Sequence, residues 1–152
     1  MFVKRAMAGL FAALAVLALA AAPAEAAPAA PQDRVAIAPA APVRAATALA
    51  TSPYTSPGTT AGHYAPGATY TCPAGNFCAL VWDPTVGLWE LFRLYNCNRY
   101  YVSYWNDWGV AWNNQTGGAV ATVYDQSSAI DWIGVGSAFS YYWNPVWSIR
   151  NC

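Results

Sequence analysis

From Phe77 to the last residue, short apolar runs alternate with clusters of polar turn formers. The runs are rich in Val, Ile, Trp, Tyr and Phe, side chains that suit a pleated, half-buried surface. They predict strands at Phe77–Trp82, Trp89–Tyr95, Tyr100–Trp105, Val110–Trp112, Ala119–Tyr124, Ile130–Ile133, Ala138–Trp143 and Val146–Arg150. Between them stand Asp83-Pro84, Asn96-Cys97-Asn98, Asn106-Asp107-Trp108-Gly109, Asn113 to Gly118, Asp125 to Ser128, and Asn144-Pro145. Turn signals at such short intervals predict a compact all-β sandwich. One run is ambiguous. Leu88, Leu91, Phe92 and Tyr95 have a helical spacing, but the run also alternates and its neighbours are strands, so it is read as a strand.

Upstream, this pattern disappears. Lys4 and Arg5 precede an uncharged apolar run, Ala6 to Ala22, and Ala24-Glu25-Ala26 fits a small-x-small cleavage site. That order predicts a secretory signal peptide over residues 1–26. The run is shorter than the roughly 20 residues a membrane span needs, so no anchor is expected after cleavage. Residues 27–70 are mostly Ala, Pro, Thr and Ser and hold seven of the eleven prolines. Proline removes backbone donors and interrupts helices. Small side chains bury too little area to offset chain entropy. This composition predicts a disordered spacer or pro-segment, with the folded domain at 71–152.

Charge and cysteines narrow the class. Residues 71–152 carry three arginines against five acidic residues, a net charge of −2, with no Lys, His or Met. Such a domain is a poor partner for nucleic acid, whose binding rests on phosphate neutralisation. Structural zinc sites want closely spaced cysteine pairs, often with His. Here five residues separate Cys72 from Cys78, Cys97 and Cys152 are isolated, and the single histidine, His63, lies in the spacer. An even cysteine count in a small exported domain predicts two disulfides, and four cysteines allow three pairings. Cys72–Cys78 is favoured because Pro73 and Gly75 can turn the chain back. Cys97–Cys152 then ties the last residue into the body. Loop entropy assigns about 2.4 kcal/mol to the short bridge and about 4 kcal/mol to the long one.

Catalysis is not expected. Without a histidine in the domain, a Ser-His-Asp or Cys-His site cannot be assembled. Asp83 with Glu90, or Asp125 with Asp131, are the carboxylate pairs a glycosidase would need. Turn capping or solvent exposure is the expectation for all of them. No phosphate-cradling glycine motif is present, and no cofactor or metal site is expected. Asn114-Gln115-Thr116 matches a glycosylation acceptor.

The stretches "CPAGNFCAL", "FRLYNCNRYYVSYW", "NNQTGGA" and "NPVWSIRNC" together resemble the small secreted metalloproteinase inhibitors of actinobacteria. The resemblance covers nearly all of 71–152 and none of 27–70. It implies a βγ-crystallin-like fold, two Greek-key motifs packed as a β-sandwich. It also implies a function: inhibition of an extracellular protease, foremost a metalloprotease, by a rigid loop presented as a poor substrate. A preorganised loop loses little entropy on docking, so its contacts register as affinity. The chain departs from the family in lacking a second close cysteine pair around the reactive loop. The loop stiffened by Cys97, namely Asn96, Cys97, Asn98 and Arg99, is expected to take that place. The likeness also raises calcium, whose motif would begin at Asn113-Asn114-Gln115-Thr116. Gly117-Gly118 replaces the hydroxyl pair, and neutral Asn suits a hard cation poorly. A structural turn is expected there.

A reading from a different class rests on the aromatics. All eight tryptophans fall within 71–152, and "YYVSYWNDWGVAW" concentrates six aromatic rings. Aromatic faces stack on apolar ligand surfaces. The alternative is a non-catalytic module that binds glycans or the cell envelope through Trp105, Trp108 and Trp112; on either reading a monomer is expected. Most of the aromatics are expected to pack between the sheets.

Overall fold

The computed structural model describes residues 30–43 and 50–152. The expected signal peptide, residues 1–26, lies outside the described residues. The described residues are all-β. They contain no helix long and apolar enough to cross a membrane.

The spacer expectation needs correction. Within 27–70 the chain forms β1 (Arg34–Ile37), β2 (Tyr54–Ser56), β3 (Thr60–Tyr64) and the start of β4 (Thr69–Cys72). The reason is visible in the proline positions. Pro39, Pro42, Pro53, Pro57 and Pro66 all fall between strands, where a missing N–H costs nothing. The short segments between them hold the Val, Ile, Thr and Tyr that strands favour. Edge pairing draws on backbone groups and asks little of the side chains, so an average over the whole segment hid it.

The remaining strands are β5 (Asn76–Asp83), β6 (Leu88–Leu94), β7 (Arg99–Ser103), β8 (Trp108–Asn114), β9 (Ala121–Tyr124), β10 (Ala129–Ile133), β11 (Phe139–Tyr142) and β12 (Ser148–Arg150). Each overlaps a strand expected from the sequence. The ambiguous run is β6, and its mixed periodicity has a cause: both of its faces are covered, so no polar side is exposed.

Two antiparallel five-stranded sheets result, ordered β10-β9-β12-β7-β2 and β11-β8-β5-β6-β3. The β5–β8 stretch keeps three neighbouring strands in one sheet and sends β7 to the other. The β9–β12 stretch does the reverse, sending β11 across. β2 and β3 extend the two sheets at β7 and β6, covering backbone edges that would otherwise be open to pairing.

Strand alternation sorts the core into two layers. Phe77, Ala79, Val81, Phe92 and Leu94 face Tyr100, Val123 and Ile149 of the opposite sheet. Cys78, Leu80, Trp89, Leu91 and Trp112 point the other way, onto Ala38, Tyr70 and Cys72 of the β1–β4 ribbon. The Trp89 indole N–H donates to the Pro39 carbonyl at 2.9 Å, and Asn114 Nδ2 donates to the carbonyls of Gln32 and Cys72. The N-terminal ribbon is therefore a third layer. Gly109 lies where strand β8 passes Trp143: a Cβ there would sit 2.1 Å from the Leu80 carbonyl oxygen, so no larger residue fits.

The disulfides are Cys72–Cys78 and Cys97–Cys152, the pairing favoured from the sequence. Both fit an oxidising, extracellular setting.

Candidate functional site

β6 and β7 belong to different sheets, so Tyr95–Asn98 crosses an end of the sandwich. Leu94 and Tyr100 are buried on either side, and every residue from Tyr95 to Arg99 is exposed. Three devices hold this exposed segment. The first is the Cys97–Cys152 bridge. The second is Asn151, which is fully buried. Its Nδ2 donates to the Leu94 carbonyl at 2.7 Å, and its Oδ1 accepts from the Asn98 amide at 3.1 Å. Its own amide donates to the Asn98 carbonyl at 3.3 Å. One neutral side chain thus spans both ends of the loop. Gln115 donates to the Asn151 carbonyl and fixes it from behind. The third device is Tyr100, whose hydroxyl donates to the Asn96 carbonyl at 3.2 Å. Tyr95 and Asn96 form a ridge between two shallow hollows of about 460 and 730 Å³.

Of the loop residues singled out from the sequence, Asn96, Cys97 and Asn98 form this exposed tip. Arg99 starts β7 and is engaged elsewhere. Its guanidinium lies 3.8 Å over the Tyr124 ring, and its Nε donates to Ser148 Oγ at 3.1 Å. Asn151, Tyr95 and Tyr100 were missed. Asn151 carried one signal, its place immediately before the cysteine that pairs with Cys97.

The aromatic face on which the alternative reading rests, Trp105, Trp108 and Trp112, does not form. Trp105 is buried between the two sheets and Trp112 beneath the N-terminal ribbon. Both sit where strand alternation and sheet crossing direct them. Trp108 is 57% exposed. It pairs instead with Tyr142, ring centroids 5.2 Å apart, beside Pro39 and Pro42.

The Asn113–Gly118 turn is engaged internally. Asn113 Nδ2 donates to the carbonyls of Ala119 and Ile133, and its Oδ1 accepts from the Gln115 amide. Gly117 and Gly118 have φ of 67° and 73°, a backbone that a hydroxyl pair would strain.

A second cluster has no signal in the sequence, because His63 stands in the proline-rich 27–70 segment, far from the carboxylates it meets. β3 pairs with β6 so that His63 lies opposite Glu90, and β5 brings Asp83 to the same inner face at the sandwich rim. His63 Nε2 lies 3.0 Å from Asp83 Oδ2 and 3.9 Å from Glu90 Oε2. Burial alone would raise the Asp83 carboxyl. Hydrogen bonds from the Thr85 hydroxyl and amide, from His63 and from Ser52 outweigh it and hold the group below its ordinary value. Burial raises Glu90, with the Asp83 charge adding to it and His63 opposing. Asp83 caps the turn after β5, accepting from the Thr85 amide and hydroxyl, as expected; Glu90 neither caps a turn nor lies in solvent, because its strand places it on the inner face, and there the expectation is corrected.

No protein-family signature, curated protein or solved structure matches the chain.

Proposed function

We propose that the protein is an exported inhibitor of extracellular peptidases that presents Tyr95–Asn98 as a rigid, substrate-like loop. The observation that carries this reading is the Asn151 clamp across the loop, reinforced by the Cys97–Cys152 bridge. An exposed segment fixed at both ends and in its middle loses little freedom in a protease cleft. If a bond in it is cut, the ends remain held together, which favours religation over release. Metalloproteases are the first targets to test, on the strength of the sequence resemblance alone. The strand order supports the βγ-crystallin-like part of that resemblance, since two four-strand units each exchange their third strand.

The test is titration of the chain lacking residues 1–26 against a thermolysin-type metalloprotease, with a serine protease in parallel. Stoichiometric inhibition is expected, with slow cleavage confined to residues 95–99. Asn98→Ala should weaken it at least tenfold. No inhibition at large molar excess overturns the reading.

A second reading keeps the glycan-binding alternative but moves it. The half-exposed Trp108–Tyr142 pair lines a shallow cleft of about 660 Å³ with Pro39 and Pro42. Retention on insoluble polysaccharide that is lost in Trp108→Ala would favour it.

A further inference from the structure

We propose that His63, Asp83 and Glu90 form a binding site for a divalent transition-metal ion, with Zn²⁺ the best fit. One ligand atom from each residue falls within 4.8 Å of the other two. Ligands of a tetrahedral zinc with bonds of about 2.0 Å stand about 3.3 Å apart. The observed His63–Asp83 and His63–Glu90 separations, 3.0 and 3.9 Å, straddle that spacing.

An independent observation points to a ligand. Glu90 Oε2 is buried and has no hydrogen-bond donor. A buried carboxylate oxygen left unpaired is costly, and an ion at that spot removes the cost. Among the described residues, no arginine or lysine forms a salt bridge with either carboxylate. Two carboxylates with a neutral imidazole match the charge of one divalent cation.

The supporting groups fit the same purpose. Thr85 donates its amide and hydroxyl to Asp83 Oδ1, at 2.9 and 2.6 Å, which turns Oδ2 toward His63 and Glu90. Outer hydrogen bonds of this kind orient ligating carboxylates. The three side chains stand on paired strands, so their spacing is set by the sheet rather than by a loop. His63 is 39% exposed on its side chain, which leaves a path for the ion and an open coordination position. An imidazole with two carboxylates suits zinc better than calcium, which seeks six to eight oxygens. Bound metal would tie edge strand β3 to β5 and β6, independently of any inhibitory role.

The test uses the chain lacking residues 1–26, stripped with chelator and titrated calorimetrically with ZnCl₂, with CaCl₂ and MgCl₂ as controls. One zinc per chain at micromolar affinity or tighter is expected, with a raised melting temperature and little response to calcium or magnesium. Co²⁺ in place of zinc should give the absorption bands of a low-symmetry, four- or five-coordinate site. His63→Ala and Glu90→Gln should each weaken zinc binding at least a hundredfold. His63 is partly exposed, so its variant is expected to fold, and near-UV circular dichroism of the metal-free form checks it. Should either variant misfold, the cobalt spectrum and the imidazole NMR shift of the unaltered chain decide the matter. The absence of zinc binding overturns the proposal, as does binding unchanged in both variants. A His63 ring that ignores zinc and merely shares its proton with the two carboxylates overturns it as well.

Discussion

β6 begins beside groups that change charge and ends in a loop whose supports do not. At its start, Glu90 meets His63 and Asp83. At its end, the Tyr95–Asn98 loop is held by the Asn151 amide, the Tyr100 hydroxyl and a disulfide. These supports keep one protonation state through the ordinary pH range. The loop is fastened by the C-terminal residues, whereas the cluster exists only because β3 joins the sheet. Rigidity at one end is covalent and indifferent to pH; at the other it depends on charge and on the N-terminal segment. The two ends should therefore fail under different perturbations.

The largest effect should follow from cutting the chain at Thr71. This removes β1, β2, β3 and half of β4, opens the edges of β6 and β7, and uncovers Trp89 and Leu91. A domain of this size has little stability to spare. We expect no cooperative melt by calorimetry for residues 71–152. A truncated chain that melts within a few degrees of the longer one would break the comparison, because the cluster end would then be dispensable. Next comes Cys97→Ala with Cys152→Ala. Opening the long loop should cost about 4 kcal/mol and lower the melting temperature by about 20 °C. The loss should be equal in mildly acid and mildly alkaline buffer. A smaller effect, about 2 kcal/mol, is expected for Asn151→Ala, which leaves the Leu94 carbonyl without its buried donor. Inhibition should weaken further than stability does, since the loop loosens while the sandwich stays folded.

These two ends were unequally legible in the sequence. Cys97 and Cys152 announced the loop, because pairing Cys72 with Cys78 leaves these two to each other and Cys97 stands between two asparagine turn formers. The strands of 76–150 were legible because Trp, Tyr and Val runs are broken by strong turn formers. Asn151 was not, since its role depends on reaching Leu94, 57 residues away. The cluster was hidden for a similar reason. His63 meets Glu90 through backbone pairing of β3, and the side chains of "TAGHY" bury little area. A composition average over residues 27–70 registers the prolines and misses the strands between them. Trp105 and Trp112 misled in the opposite sense: aromatic density suggested a face, but sheet crossing sends the two rings into separate layers.

The smallest effect, on the order of 1 kcal/mol, is expected from Glu90→Gln, and it sharpens the contrast most. In chelator, the folded protein keeps the Glu90 proton to higher pH than the unfolded chain does, because burial raises that carboxyl. Stability from this group is therefore greatest in acid and falls as pH rises from the ordinary carboxylate range through the raised value. Asp83 acts with the opposite sign: its contribution is present above the ordinary range and is lost as pH falls through its lowered value. Gln keeps the shape and cannot ionise, so the variant should gain on the native chain as pH rises across the Glu90 window. Urea melts of the two proteins over that range measure the difference. Asn151→Ala should run parallel to the native chain throughout. Excess zinc should reverse the order of the native chain and Glu90→Gln, since the ion needs the carboxylate that the metal-free fold tolerates poorly. Parallel profiles for Glu90→Gln and the native chain in chelator would mean that this end of β6 is as indifferent to charge as the other.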